Sequence, residues 1–134
     1  MLHANIVHTP MSPNHMPSLH DGVSLSDANA YHSIVGGLQY LSLTRPDVAF
    51  AVNKLSQFMH CPTTQHWVAV KRLLRYLRGT IHHGLFLHCN SPLLLHGFSD
   101  ADWAGNTDDR TSTSGHIVFL GHNAISWSSK KHVL

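Results

Sequence analysis

Apolar residues recur every three or four positions between residues 26 and 80, and the pattern changes to short β-branched runs in residues 81–134. The first spacing is typical of amphipathic helices, and the second is typical of strands separated by turns. Residues 1–25 show neither period and contain three prolines, which indicates an irregular lead-in. The chain is therefore predicted to have an α+β fold, with helices first and an antiparallel sheet second.

The first helix should begin after Ser26 or Asp27, because either side chain can accept a hydrogen bond from the free N–H groups of the first turn. Its interior contains Gly36 and Gly37. Each glycine costs about 1 kcal/mol relative to alanine in a helix. We therefore expect a neighbouring helix to pack closely against these two positions.

A second helix is predicted to start at Thr44, with Pro46 in its first turn and Asp47 in the position of a capping box. The third helix should run from about Thr63 to Arg78 and is the most regular of the three.

We expect the third helix to end at Gly79 in the left-handed conformation. Its apolar residues share one face when successive positions are placed about 100° apart. These residues are Trp67, Val70, Leu73, Leu74 and Leu77. The core of the helical region is predicted to be built on Trp67, Leu74 and Leu77.

Four strands are predicted beyond residue 80, and the last three of them form the sheet. The strands comprise residues 85–87, 93–98, 117–120 and 124–129. A polar loop from Gly105 to Gly115 joins the second strand to the third.

The composition supports a folded protein, since 43% of the residues are hydrophobic. The net charge of +2 is too small to indicate a nucleic-acid partner by itself, and the seven acidic residues are all Asp. Cys61 and Cys89 have no metal-like spacing and suit a reducing compartment. There is no apolar run of about 18 residues and no secretory signal, so we expect an intracellular location away from membranes.

One long motif identifies a family. The sequence FSDADWAG, followed by DDRTSTSG, an apolar run and ISWSSKK, resembles the start of the ribonuclease H domain of copia-type retrotransposon polyproteins. Upstream, YHSIVGGLQYLSLTRPDVAFAVNKLSQFMH and CPTTQHWVAVKRLLRYLRGT resemble the segment that joins the end of the reverse transcriptase to that domain. The resemblance extends from Asn5 to Lys131 and contains several motifs in the family's order.

The resemblance implies thumb- or connection-like helices of a reverse transcriptase in residues 26–80 and an incomplete ribonuclease H sheet in residues 81–134. Ribonuclease H uses two Mg²⁺ ions to hydrolyse the RNA strand of an RNA–DNA hybrid. The family holds these ions with an Asp-Glu-Asp-Asp set. Its first Asp corresponds to Asp100, and the remaining ligands lie in sequence that follows Leu134 in the family.

Asp100 is thus expected to be a vestigial catalytic residue and metal ligand. An Asp at the mouth of a strand can equally be an ordinary residue that bonds the following loop. We expect no tight binding of Mg²⁺ and no activity from the chain alone. In the intact polyprotein the partner would be the RNA–DNA hybrid, and the missing half of the ribonuclease H domain is a further candidate partner.

Lys71, Arg75 and Arg78 form a narrow basic stripe beside the apolar face of the third helix. The resemblance suggests that they contact a nucleic-acid backbone. They could equally form a solvated face whose cations favour the C-terminal end of the helix dipole. Two alternatives to the enzyme fragment follow, namely a nucleic-acid-binding remnant that uses this helix and a pseudogene product without function.

The other polar residues that could form a site are expected to have structural roles. Asp102 is expected to cap its loop, and Asp108, Asp109 and Arg110 are expected to form a polar turn with a local ion pair. Lys130 and Lys131 are expected in a frayed terminus. The histidines at positions 82, 83, 88 and 96 lie on neighbouring predicted strands, but no spacing enforces a zinc site.

The predicted sheet also has an apolar face that the family covers with helices beyond Leu134. We expect this face to expose Phe98, Phe119 or Trp127.

Overall fold

Three helices followed by a three-stranded antiparallel sheet make up the protein, as the α+β prediction requires. The computed structural model describes residues 4–132. The elements are α1 (Asn29–Leu41), a short 3₁₀ turn (Pro46–Val48), α2 (Ala49–Ser56), α3 (Thr64–Gly79), β1 (Leu95–Ala101), β2 (Ser112–Leu120) and β3 (Asn123–His132). No helix in this part of the chain is long and apolar enough to cross a membrane.

The sheet has the order β1-β2-β3, so the central strand pairs with both neighbours. Phe98 on β1 lies opposite Ile117 on β2, which in turn lies opposite Trp127 on β3. The pairing shifts between Val118 and Phe119, and this leaves Ile125 as an extra residue in β3. The three strands are longer than predicted, because polar residues at their ends also join the ladder.

The core lies entirely between the helices and the lead-in. Its buried apolar residues come from all three helices, from the 3₁₀ turn, from Phe58 just after α2 and from Met11; they are Met11, Tyr31, Val35, Leu38, Val48, Ala51, Val52, Leu55, Phe58, Val70, Leu73 and Tyr76. The hydroxyl of Tyr31 donates a hydrogen bond of 2.8 Å to the carbonyl of Leu55, which satisfies the one polar atom that this ring brings into the core.

Helix α3 buries only part of the face that was predicted. Its buried residues are His66, Val70, Leu73 and Tyr76. Val70 and Leu73 belong to the predicted apolar face, whereas Trp67, Leu74 and Leu77 pack against the core but are only partly buried, so the core is not built on them. The prediction did not include His66 and Tyr76, whose hydrogen-bond partners allow their rings to face inward.

The capping box occurs at α3 and not at the helix where it was predicted. The Thr63 hydroxyl accepts a hydrogen bond from the His66 N–H, and the His66 Nδ1 accepts one from the Thr63 N–H at 3.0 Å. Thr44 instead donates its hydroxyl to the carbonyl of Leu41. At the start of α1, the carboxylate of Asp27 accepts a hydrogen bond from the N–H of Asn29, the first residue of the helix. The N-cap position itself is occupied by Ala28, whose side chain makes no hydrogen bond.

The Asp47 carboxylate is used by Arg45, which is only 6% exposed. The Arg45 guanidinium donates to both carboxylate oxygens, at 2.9 and 2.7 Å, and also to the hydroxyl of Thr80 at 2.9 Å. The hydroxyl of Tyr76 donates to the same carboxylate at 2.7 Å. These bonds from Arg45 and Tyr76 hold the pKa of Asp47 below its usual value despite partial burial, and they tie the α1–α2 connection to the end of α3.

Four further sequence predictions are wrong. Gly36 and Gly37 have no neighbouring atom within 4 Å of where a Cβ would lie, so no helix packs against them. Gly79 does not have a positive φ, and the N–H of Thr80 closes α3 by bonding to carbonyls of the last turn. Residues 85–87 are exposed and form no strand. Lys130 and Lys131 belong to β3 and not to a frayed end.

Residues 4–25 are irregular, as predicted, but they pack onto the helices. Met11 is buried in the core, and Val7 and Leu25 pack against it. Ser24 forms an isolated antiparallel bridge with Thr63, at the start of α3. The boundaries predicted at residues 25 and 80 stay predictions.

Replacing Leu73 with alanine should lower the free energy of unfolding by about 2–5 kcal/mol, because this side chain is fully buried. Leu74 is the same residue type at the next position and is only partly buried. The Leu74→Ala variant should therefore lose about 1 kcal/mol or less. Urea denaturation of both variants measures the difference, and equal losses would contradict the observed orientation of α3.

His66 should make stability depend on pH. Its Nδ1 accepts from Thr63, so the Nε2 carries the proton and donates to the carbonyl of Ser18 at 2.8 Å. Burial is the main cause that lowers the pKa of His66, and the hydrogen bond to Ser18 and the charges of Asp21 and Asp108 oppose it only in part.

A second proton, at Nδ1, binds less readily to His66 in the folded state than in the unfolded state. The contribution of His66 to stability is therefore fully present above the unfolded pKa of about 6.5. It is lost as the pH falls from there toward the lowered pKa of the folded state. His66→Asn retains an acceptor near Nδ1 and removes the titration. Urea melts between pH 7.5 and 4.5 should show a steeper loss for the wild type than for the variant, and parallel curves would disprove the assignment.

Candidate functional site

Asp100 is the sixth residue of β1 and lies opposite Gly115 on β2. Because side chains alternate along a strand, Asp100 is on the same side of the sheet as Phe98. This side borders an open groove of about 460 Å³ between the sheet and the start of α2, where Pro46 and Phe50 form the opposite wall. The carboxylate of Asp100 is exposed, and no hydrogen bond or ion pair reaches it from residues 4–132.

Asp102 borders the same groove, but its carboxylate has a structural partner. It accepts a hydrogen bond from the N–H of Thr113, and its own N–H donates to the carbonyl of Thr113 at 3.1 Å. This confirms that Asp102 caps the loop. It closes the loop between β1 and β2, and Asp100 is the carboxylate of the groove to which no hydrogen bond is made from the described residues.

The Asp108–Arg110 segment is a polar turn, as predicted, but its ion pair is not local. Asp109 pairs with Lys131 on β3, and it also accepts hydrogen bonds from Thr111. The bonds from Lys131 and Thr111 lower the pKa of Asp109 to about 2. Asp108 accepts from the N–H of Leu19 at 2.8 Å and so ties the loop to the lead-in.

The residues around Asp100 do not fit a pair of Mg²⁺ ions, which needs several convergent carboxylates. Asp102 is bonded to Thr113, Asp108 accepts from Leu19, and Asp109 pairs with Lys131. Within residues 4–132, no group of three or more His, Cys, Asp or Glu is placed to hold a metal ion. Asp100 could therefore contribute one ligand to a metal site but could not form such a site with its present neighbours.

The histidines of the predicted strands make ring contacts. His96 stacks on Phe119 with ring centres 5.3 Å apart, and His88 meets the edge of Phe86 at 4.8 Å.

The three predicted nucleic-acid contacts lie on α3 and have different surroundings. Lys71 is exposed, with its ammonium 5.9 Å from the centre of the Trp67 ring. Arg78 is also exposed and donates to the carbonyl of Ala4 in the lead-in. Arg75 is partly buried and lines a pocket beneath the lead-in. The groove beside Asp100 contains none of these cations, so the structure does not join the two sets of predicted residues into one site.

Trp127 has a role that the sequence did not reveal. Phe98 is 65% exposed, as predicted, although it lies on the side of the sheet that faces α2, and Trp127 on the same side is half-buried. Its indole N–H donates to the carbonyl of Ser42, at the end of α1, at 2.9 Å. Trp127 also lines the groove beside Asp100, so one residue both docks the sheet and shapes the candidate site.

Comparison with known proteins gives relatives over almost the whole chain. It is 59% identical over 131 residues to the Retrovirus-related Pol polyprotein from transposon RE2 of Arabidopsis thaliana, which covers 98% of this chain and 9% of the relative. The corresponding polyprotein from transposon RE1 of the same plant is 58% identical over the same length and share. An uncharacterized mitochondrial protein of Arabidopsis thaliana is 50% identical over 125 residues, 91% of this chain and 52% of that protein.

The chain therefore spans less than a tenth of the length of these polyproteins and about half of the mitochondrial protein. No protein-family model matches the chain, and no solved structure matches it.

Proposed function

Since the chain belongs to the family of retrovirus-related Pol polyproteins of copia-type transposons, we propose that it supplies the end of the reverse transcriptase and the first three strands of the ribonuclease H domain. Residues 26–80 would form the thumb- or connection-like helices, and residues 81–134 would form the incomplete ribonuclease H unit. In this proposal, the whole polyprotein processes an RNA–DNA hybrid.

The observation that carries the proposal is the unpaired carboxylate of Asp100 at the edge of an open groove. Gly115 lies opposite it and has no side chain that could fill the space in front of the carboxylate. A carboxylate left free at such a position is suited to bind a cation, because every lone pair remains available. In the intact domain, Asp100 would share Mg²⁺ with carboxylates that residues 4–132 do not provide.

The same proposal gives the chain alone no route to cleavage. One carboxylate cannot position two metal ions, and the neighbouring Asp102 is committed to the loop. The chain would thus act as one portion of an enzyme whose remaining ligands come from other sequence.

We predict that the purified chain does not cleave a labelled RNA–DNA hybrid with Mg²⁺ or Mn²⁺, because a single free carboxylate cannot hold the metal pair. The Asp100→Asn variant, purified in the same way, is the control for contaminating nuclease. Cleavage by the wild type that is absent from this variant would falsify the prediction.

A chimera tests the positive side of the same proposal. In it, the RE2 polyprotein sequence continues this chain after Leu134 and restores the missing ligands. The chimera should cleave the hybrid, and Asp100→Asn should reduce the rate by at least about a hundredfold, as expected when a metal-bound transition state loses several kcal/mol of stabilisation. Asp102→Asn should reduce it far less. Equal effects of the two substitutions would remove Asp100 from the metal site.

A second candidate function is binding of a nucleic-acid backbone along α3. The observation that favours it is that α3 carries four Lys and Arg residues and no Asp or Glu. Lys71 and Arg78 are exposed on this helix and would meet phosphate oxygens without rearrangement of the core. This function does not need Asp100, so the two candidates can be tested separately. A pseudogene product without function would show neither activity.

If α3 binds the backbone, affinity for duplex nucleic acid should fall with salt, so that log Kd rises against log salt with a slope of about +2 to +3 for three phosphate contacts. Replacing Lys71, Arg75 and Arg78 together with glutamine should flatten this slope to near zero. Lys130→Gln removes an exposed cation from β3 and serves as the control. Fluorescence anisotropy at 25 to 200 mM salt provides the measurement, and an unchanged slope in the triple variant would exclude α3.

A further inference from the structure

A pocket of about 220 Å³ lies between the lead-in and α3, and it shares no lining residue with the groove beside Asp100. It is the part of the structure where the lead-in crosses the basic residues of the helix. Its lining includes Met11, Ser12 and His15 from the lead-in and Val68, Arg72 and Arg75 from α3. The volume is below that of typical pockets for drug-sized ligands and suits a single small group.

The charge of this pocket is entirely positive. Arg72 and Arg75 both line it, His15 stands at its lead-in side, and no Asp or Glu is among its lining residues. The nearest carboxylate contact to any of the three is that of Asp21, 3.8 Å from the Nε2 of His15. Within the described part of the chain, neither arginine has an ion-pair partner.

The two guanidinium groups have unused hydrogen-bond donors. Arg72 donates through Nη2 to the hydroxyl of Thr9 at 2.8 Å, while its buried Nε has no hydrogen-bond partner among residues 4–132. Arg75 is partly buried and makes no hydrogen bond in the same range. Donors held away from water without acceptors are costly, and a ligand that drew the Arg72 fork toward it would relieve that cost.

The positions of the two arginines match a ligand with several acceptor oxygens. They are three residues apart on α3 and therefore neighbours on one helix face. Guanidinium forks bind oxyanions through paired N–H groups, and this geometry is specific to arginine. Met11, Val68 and Ala69 add apolar side chains to the lining beside the two arginines.

We infer that this pocket is a binding site for one phosphate group, held by Arg72 and Arg75 with His15 and Ser12 at its rim. The ligand is inorganic phosphate or the terminal phosphate of a nucleic-acid strand, which share this chemistry. The site shares Arg75 with the backbone binding proposed for α3, but Lys71 and Arg78 do not line it and Arg72 is not among the backbone contacts. It also does not involve Asp100.

The test is titration of the full chain with inorganic phosphate at low ionic strength, followed by isothermal calorimetry and by ³¹P NMR. We expect saturable binding with one phosphate per chain. Arg75→Gln and Arg72→Gln should each weaken it at least tenfold. Arg75→Lys keeps the charge without the fork and should also weaken it, by a smaller factor.

Lys130→Gln is the control, since it removes one exposed charge outside the pocket and should change the affinity less than twofold. Thermal melts establish that each variant is folded; Arg75→Lys answers the question if Arg72→Gln does not fold. Absence of saturable binding in the wild type would overturn the proposal. An equal loss in Lys130→Gln would also overturn it, because attraction would then be to the general charge of the chain.

Oligonucleotides with and without a 5′-phosphate distinguish the two sources. If the terminal phosphate is the ligand, the phosphorylated strand binds more tightly, and Arg75→Gln removes that advantage. If inorganic phosphate is the ligand, it saturates the pocket while both strands bind equally.

Discussion

The buried guanidinium of Arg45 is the interaction on which the helical half of the molecule depends. This charged group is buried, and both carboxylate oxygens of Asp47 accept hydrogen bonds from it and balance its charge. Its remaining donors reach Thr80, just beyond α3, so the same side chain satisfies carbonyl and hydroxyl acceptors at the end of that helix. A buried ion pair adds little to stability relative to a good apolar substitute, but loss of one partner leaves an uncompensated charge that costs about 3–5 kcal/mol. The connection between α1 and α2 therefore has one acceptable position relative to α3.

The sheet is joined to this helical body by much less. Every residue of β1 is exposed, and the apolar core contains no residue of the sheet. Its attachment consists of Trp127 with its bond to Ser42, the contacts of β3 with α2 and the bond from Leu19 to Asp108. The candidate groove lies at this weakly held boundary, so its width depends on how firmly Trp127 is seated. That arrangement fits a sheet whose other contacts are made by sequence outside this chain, as the proposed function requires.

The sequence predicted the order of the elements, because the change from helical to alternating periods reflects which faces are buried. It also predicted the capping role of Asp102, since an Asp beside a tight loop has local N–H groups to bind. It failed where a distant partner decided the outcome. Asp47 was predicted to cap a helix, but its carboxylate accepts hydrogen bonds from Arg45 and Tyr76 instead. Residues 85–87 have strand-like composition, but no neighbouring strand pairs with them among the described residues. For the site, the sequence located Asp100 and the cations of α3 but could not show that they lie in separate places.

The lead-in has a consequence for the order in which the molecule assembles. Thr9 bonds to Arg72 across 63 residues of sequence, and Ala4 bonds to Arg78 across 74. The contacts among the helices close shorter loops, which cost less entropy and form sooner. During synthesis the lead-in leaves the ribosome before α3 does. The surface of α3 to which the lead-in binds forms only after that helix has been translated and has packed. The bonds from Arg72 to Thr9 and from Arg78 to Ala4 can therefore form only after nearly all of the helical half has been translated.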